Sequence, residues 1–379
     1  MHFNHTPEQE QFRDALRRFI DKDYTFEHRK KIAHSDKGIS DEAWATLTEL
    51  GMTALPIPEA QGGFNGTAVD MLVVMQELGR GIVIEPYFAT VLGAEFLKLA
   101  GGHDDLLEKV AGGELKLAAA LGEKQARHDI FDIAATAKAV DGGYVINGTK
   151  TVVIHGAQAG MLIVSARTGG GQRDTSGISL FVVPVDAGGV SCRDYRTIDC
   201  QRAADITFTN VHVPASALLG KEGAGFDILD AAADYGRALL CAEAVGAMDA
   251  LNAATLEYLK TRQQFGVPIG KFQALQHRMA EMFMQAEQAR SMATLAAVKV
   301  ATADVNERRR TVSAAKARVG QALKYVGQQA VQLHGGMGVT DELPAAHHFK
   351  RLTMIEVTLG DTDHHLARFT EQPGFRNAA

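Results

Sequence analysis

The sequence predicts a mainly α chain with one β domain in its middle, and three observations carry that expectation. Apolar residues recur at helical spacing near the N-terminus, the period changes to two from Leu115, and long helical periods return after Pro214. At 379 residues, with 46% hydrophobic and 22% charged side chains, the composition is that of a globular protein with room for several domains. The domains are placed at residues 1–115, 116–215 and 216–379.

Thr6 and Gln9 form a capping box with Pro7 at the first helical position, and Phe12, Leu16, Phe19 and Ile20 continue one apolar face, so the chain opens on an amphipathic helix. Further helices are expected from Asp41 to Leu50, stopped by Gly51, from Val69 to Gly79, and from Pro86 to Ala100, stopped by Gly101 and Gly102. "LKLAAALGE", "IAATAKAV", "YVING", "MLIVSART", "ISLFVVPV" and "ITFTNVHV" then read as strands of an antiparallel sheet or barrel, with Asp141-Gly142-Gly143 and Asn147-Gly148 as tight turns. Gly225 to Arg262, Phe272 to Val305 and Val312 to Leu333 have the length of bundle helices. The charge run Glu307-Arg308-Arg309-Arg310 is expected as an exposed loop between two of them.

A net charge of −6 supplies no global basic field for nucleic acid or anionic lipid, so an anionic cofactor must be gripped locally. The three cysteines, Cys192, Cys200 and Cys241, lack metal-ligand spacing, and an odd count fits a reducing compartment. The start "MHFNHTPEQEQFRD" has no apolar core of the secretory kind, and no continuous apolar run approaches the ~18 residues of a membrane span. A cytoplasmic location is therefore expected.

Two stretches can carry chemistry. In "TRQQFGVPIGKFQALQHRMAEM", Arg262, Phe265 and Gly266 stand where a long helix breaks, and Gln273 begins the next. A guanidinium fork suits a diphosphate, and a phenylalanine can flank an aromatic ring, although a helix hairpin with a solvated arginine reads the same way. In "QLHGGMGVTDELP", Gly335, Gly336 and Gly338 either let a backbone approach a ligand or turn the chain.

With "YVINGTK", "FTNVHVP", "RQQFG", "QLHGG" and a C-terminal "GDT", the chain resembles the acyl-CoA dehydrogenases over its whole length. The resemblance implies an N-terminal helical domain, a middle β-barrel and a C-terminal four-helix bundle, assembled as a dimer of dimers with FAD at the interfaces. It also implies a carboxylate that removes the α-proton of an acyl-CoA while hydride leaves Cβ for the flavin, and electron-transferring flavoprotein as a redox partner. In that family each FAD is held by two chains. By resemblance, Arg262, Phe265, Gln273, Gln332 and Gly336 match the half donated to the neighbour's cofactor, and Thr362 also survives.

The half that serves a chain's own flavin ring departs from the family. Gly122, Glu123 and Lys124 stand for Thr-Glu-Pro, Arg127, His128 and Asp129 for Gly-Ser-Asp, and Val152, Val153 and Ile154 for Trp-Ile-Thr. The family glutamate falls on Gly360, and the alternative helix position for the base falls on Gly236. Asp361, one residue along and so aimed elsewhere, is the remaining base candidate, with Asp234 near the alternative position. Neighbouring His364 and His365 beside Asp361 and Asp363 lack metal-site spacing and read as a solvated face or helix cap.

Three functions are consistent with this pattern. The first is a base-deficient partner in a heteromeric acyl-CoA dehydrogenase, resembling the small subunits of pimeloyl-CoA-type enzymes, with a second dehydrogenase-like chain holding the glutamate. The second is a self-sufficient homotetramer using Asp361, and the third a non-catalytic assembly subunit. The substrate class is an acyl-CoA thioester, dicarboxylyl by resemblance alone.

Overall fold

The computed structural model describes residues 5–373. Helices α1 (Pro7–Lys22), α2 (Phe26–His34), α3 (Asp41–Glu49), α4 (Ala68–Arg80), α5 (Tyr87–Ala100) and α6 (Asp104–Ala111) precede the strands. The capping box at Thr6 is present in full: the Gln9 N–H donates to the Thr6 hydroxyl, and the Thr6 N–H to the Gln9 side-chain Oε1.

Strands β1 (Leu117–Ala120), β2 (Thr136–Val140), β3 (Gly143–Ile154), β4 (Met161–Arg167), β5 (Ile178–Pro184), β6 (Val190–Arg196), β7 (Arg202–Pro214) and β8 (Leu218–Leu219) form one eight-stranded sheet. Its path runs β6-β7-β3-β2-β4-β5-β8, and β1 pairs with β4. Pairing is antiparallel except for β1 with β4 and the single β2–β4 pair, which are parallel. Almost every residue of β4 and β5 is buried, as central strands covered on both faces require.

Two sequence expectations are corrected here. Asn147-Gly148 is not a turn but a bulge inside β3, where the register against β7 shifts between Ile146 and Gly148. Gly148 sits at φ +147, and a Cβ there would meet the Ala135 Cβ at 2.6 Å, so close backbone approach demands the glycine. Strand β6, "VSCRDYR", was not expected, because its mostly exposed polar residues give no apolar alternation.

After the sheet come α7 (Phe226–Thr261), a short antiparallel hairpin (Gln263–Gln264 with Val267–Pro268), α8 (Gln273–Lys299), α9 (Val305–His334), α10 (Pro344–Val357) and α11 (Thr362–Thr370). Glu307-Arg308-Arg309-Arg310 is helical rather than a loop, because Asp304 caps α9 by accepting from the Asn306 and Glu307 N–H groups. Among the described residues one helix, α7, is long and apolar enough to cross a membrane, but 67% of its most apolar window is buried, as in a core helix.

The chain forms two compact units. One comprises the described residues of Met1–Lys30, Ala68–Val83 and Arg237–Ala379, and the other comprises Lys31–Thr67 and Ile84–Gly236. In the first, α8, α10 and α11 pack on α9, and α4 packs on α8. Small buried residues recur at helical spacing on α8 (Ala286, Ala289, Ala293, Ala296) and α9 (Ala315, Ala322, Ala330), which lets these helices approach closely. In the second unit the β sheet packs with α5.

Candidate functional site

Where α7 stops, the chain turns through Phe265 at φ +55 and Gly266 at φ +78, with Val267 opposite Gln264 and Pro268 opposite Gln263. Two consecutive positive φ values define a two-residue hairpin of the primed type, which glycine accepts and phenylalanine resists. Phe265 nevertheless occupies it and is 91% exposed, with its ring edge-on to Phe272 at 6.1 Å. An aromatic side chain held out at the tip of a strained turn is the pattern of a residue kept for contact with something else.

Behind the hairpin lies a cleft of about 630 Å³. Tyr258 and Arg262 at the end of α7, Leu275 and Arg278 on α8, and Gln332 at the end of α9 line it, together with Gly335, Gly336 and Met337. The α9 C-cap, Gly335, is at φ +58 and turns the chain into a 3₁₀ segment over Gly335–Val339. Nothing lies within 4 Å of a Cβ built on Gly336, whereas one on Gly338 would meet the Val331 carbonyl oxygen at 2.5 Å. Gly338 is therefore fixed by packing, and Gly336 leaves its surroundings open. His334 stacks on Tyr258 at 4.6 Å, and its Nδ1–H donates to the Ala330 carbonyl at 2.8 Å, so this wall is rigid.

Of the five residues expected at a donated cofactor half, the structure brings Arg262, Gln332 and Gly336 together in the cleft. Phe265 stands at the hairpin tip, and Gln273 is the exposed first residue of α8. Sequence reasoning missed Tyr258, Leu275, Arg278 and His334, which become neighbours of Arg262 only when three helix ends converge. The i, i+3 relation of Leu275 to Arg278 was the available signal.

The segment Thr358–Asp361 joins α10 to α11. Buried Lys316 donates to the Ile355, Glu356 and Gly360 carbonyls at 2.9, 2.9 and 2.8 Å. Arg237 and His365 both donate to the Leu359 carbonyl, at 2.9 and 3.0 Å. Gly360 is at φ +109, and a Cβ there would meet His364 Cδ2 at 2.6 Å and His365 Nε2 at 2.6 Å. Asp361 is the N-cap of α11, accepting from the His364 N–H at 2.8 Å. The Thr362 hydroxyl and N–H both donate to Glu356 Oε1, at 2.9 and 3.0 Å. Burial lowers the Lys316 pKa to about 8, and burial next to the Arg237 charge drives His365 far below the usual histidine range, so its imidazole is neutral. Gly236 lies buried within α7, and Asp234 is wholly buried. Among the described residues no group of three His, Cys, Asp or Glu side chains is arranged to hold a metal.

In the other unit, Glu123 and Lys150 form a buried ion pair at 2.7 Å. Lys150 also donates to the Ser165 hydroxyl and the Leu121 carbonyl, and Glu123 accepts from the Ala134 and Ala135 N–H groups. Burial opposes ionisation of Glu123, but the Lys150 charge and these bonds outweigh it and hold the carboxylate below its usual range. Beyond Lys150, β3 bulges against β7, and Val152 adopts φ +53, an outlier for a β-branched residue. Its N–H donates to Asp205 at 3.1 Å, and Asp205 also takes the Arg193 guanidinium at 2.5 Å and the Tyr195 hydroxyl at 3.0 Å. This ionic cluster lines a second cavity of about 590 Å³ together with Lys124 and Thr151.

A cleft at the broken end of a helical bundle that carries two arginines and is walled by glycines has the chemistry to take an anionic ligand. Family models for the N-terminal, middle and C-terminal domains of acyl-CoA dehydrogenase match residues 6–105, 118–211 and 223–372. The chain belongs to the acyl-CoA dehydrogenase family, oxidoreductases that act on the CH–CH bond of an acyl-CoA and use FAD. It is 31% identical to the short-chain-specific acyl-CoA dehydrogenase of Megasphaera elsdenii, over 96% of this chain and 97% of that protein. The FAD complex of PigA superposes with a TM-score of 0.90 at 26% identity, covering 99% of this chain and 100% of the other. A chain of the ChsE4-ChsE5 complex from Mycobacterium tuberculosis superposes with a TM-score of 0.88 at 25% identity, with the same coverage.

Proposed function

We propose that this chain is the base-deficient subunit of a heteromeric, FAD-dependent acyl-CoA dehydrogenase. It donates Arg262, Phe265, Gln273, Gln332 and Gly336 to a cofactor whose ring and catalytic glutamate are held by a second, related chain. One observation carries the reading: at Gly360, where the family has its glutamate, the backbone is left-handed and the space of a Cβ is filled by the rings of His364 and His365. A side chain is excluded there by packing as well as by sequence. The N-cap role of Asp361 weighs against a displaced base, since its carboxylate accepts from the His364 N–H. The ChsE4-ChsE5 relative, a complex of two differently named chains, supports a two-chain enzyme.

FAD, when bound, supplies the hydride acceptor. The residues of this chain fit its diphosphate half, because Arg262 faces an open cleft beside Gly336. They do not fit the ring half: Gly122, Val152 and Ile154 provide neither hydroxyl nor aromatic face, and Val152 borders a cluster of charges. Thr362, which the family would turn toward the flavin, gives its hydroxyl to Glu356. An acyl-CoA thioester as substrate, electron-transferring flavoprotein as electron acceptor and a cytoplasmic setting complete the reading; all three cysteines are free thiols.

The test is stoichiometry. Expressed alone, the chain should hold clearly less than one FAD per subunit, and coexpression with its partner should raise both flavin content and acyl-CoA dehydrogenation. A fully flavinated homotetramer that dehydrogenates acyl-CoA unaided would overturn the proposal.

A further inference from the structure

Resting on the reading of the bundle cleft as a FAD diphosphate site, we propose that Arg278 is a second cation for that diphosphate, acting with Arg262 across the same cleft. Arg262 reaches the cleft from the end of α7, and Arg278 from α8, one turn beyond Leu275 on the same helix face. Among the described residues no aspartate or glutamate lines the cleft. Among the described residues neither arginine forms an ion pair, while Arg17, Arg80, Arg193, Arg290 and Arg351 are all matched to carboxylates. The hydrogen bond of Arg278 goes to a neutral partner, the Gln329 side-chain oxygen at 3.3 Å, which is long and easily exchanged.

Two guanidinium groups that share a cleft without counter-charge repel each other until an anion arrives. A diphosphate brings two negative charges and a row of oxygens suited to paired N–H donors. Gln329 lies one turn before Gln332 on α9, so its amide steers the Arg278 fork toward the end of the cleft where Gln332 and Gly336 stand. Arg278 thereby becomes a binding residue for the cofactor, and the grip on the diphosphate becomes dependent on ionic strength.

The experiment is FAD titration of the flavin-stripped chain and of the coexpressed complex, followed by flavin fluorescence at low and high salt. The variants are Arg278→Ala, Arg278→Lys, Gln329→Ala and Arg262→Ala. Arg278→Ala should weaken FAD binding about tenfold, the scale of a charge-assisted hydrogen bond, and flatten the salt dependence, with its melting temperature unchanged. Arg278→Lys should recover part of the loss. If Arg278→Ala binds like wild type while Arg262→Ala is weakened, the inference is overturned and the cleft assignment stands. If neither substitution matters, the cleft assignment falls as well. Gln329→Ala should weaken binding less than Arg278→Ala; if Arg278→Ala instead lowers the melting temperature and Arg278→Lys recovers no affinity, the arginine acts through helix packing and the proposal fails.

Discussion

Installing the family's glutamate at Gly360 tests the proposed function most directly, and the structure sets the expected damage. The backbone there is at φ +109, a region side-chain-bearing residues occupy at a cost on the order of 1–3 kcal/mol. The new Cβ would also stand 2.6 Å from His365 Nε2, and that nitrogen donates to the Leu359 carbonyl. Moving the buried ring sacrifices this bond, about 0.5–1.5 kcal/mol more. The sum, roughly 2–4 kcal/mol, corresponds to a fall of roughly 5–15 °C in melting temperature for a unit of this size. Gly360→Ala carries most of the same penalty, because the clash begins at Cβ. Gly360→Ala with His365→Ala should recover only the part of the steric cost that comes from His365, leaving the His364 contact and the backbone part, a coupling that a double-mutant cycle by scanning fluorimetry resolves. The isolated Gly360→Glu chain should show no acyl-CoA-dependent bleaching of flavin. A Gly360→Glu protein that melts within a degree or two of wild type and bleaches flavin would refute both the packing argument and the base-deficient assignment.

Other expected outcomes follow from individual side chains. The folded Lys316 pKa, about 8, lies below the ordinary 10.5, so between these values the unfolded chain binds more protons than the folded one. Stability contributed by Lys316 therefore rises with pH through that window, by roughly 3 kcal/mol, and comparing urea midpoints at two pH values with those of Lys316→Met should show this component missing from the variant. Lys150→Met strands the Glu123 carboxylate and should destabilise by about 3–5 kcal/mol, while Lys150→Met with Glu123→Gln should recover part of that loss in thermal melts. Phe265→Gly relieves a left-handed phenylalanine, so the stability of the chain alone should change by no more than about 1 kcal/mol, while flavin retention by the complex falls. Unchanged retention would make Phe265 a spectator.

The sequence by itself determined what depends on near neighbours along the chain. The Thr6 capping box, the change of period at Leu115 and the long bundle helices are local choices of cap, face and spacing, and they appear where the residues asked for them. The break at Arg262 to Gly266 was equally legible, although only the backbone shows that Phe265 shares the positive φ expected of Gly266. The tertiary structure decided what depends on distant partners. Gly148 looked like a turn residue and became a bulge because Ala135 packs against it from β2's approach. The polar strand β6 exists because β7 offers it a hydrogen-bonding edge, which no alternation of its own residues announces. The sequence left Asp361 as either a displaced acid or part of a helix cap, and the structure takes the cap, since α11 begins at Thr362. Arg278, an ordinary charge in a helix, lines the same cleft as Arg262 only because the end of α7 and the start of α8 meet there. The glycine at 360, where the resemblance places the family glutamate, was visible in the sequence. That a Cβ has no room there was not, because the obstruction comes from the rings of His364 and His365, the latter held by its bond to the Leu359 carbonyl.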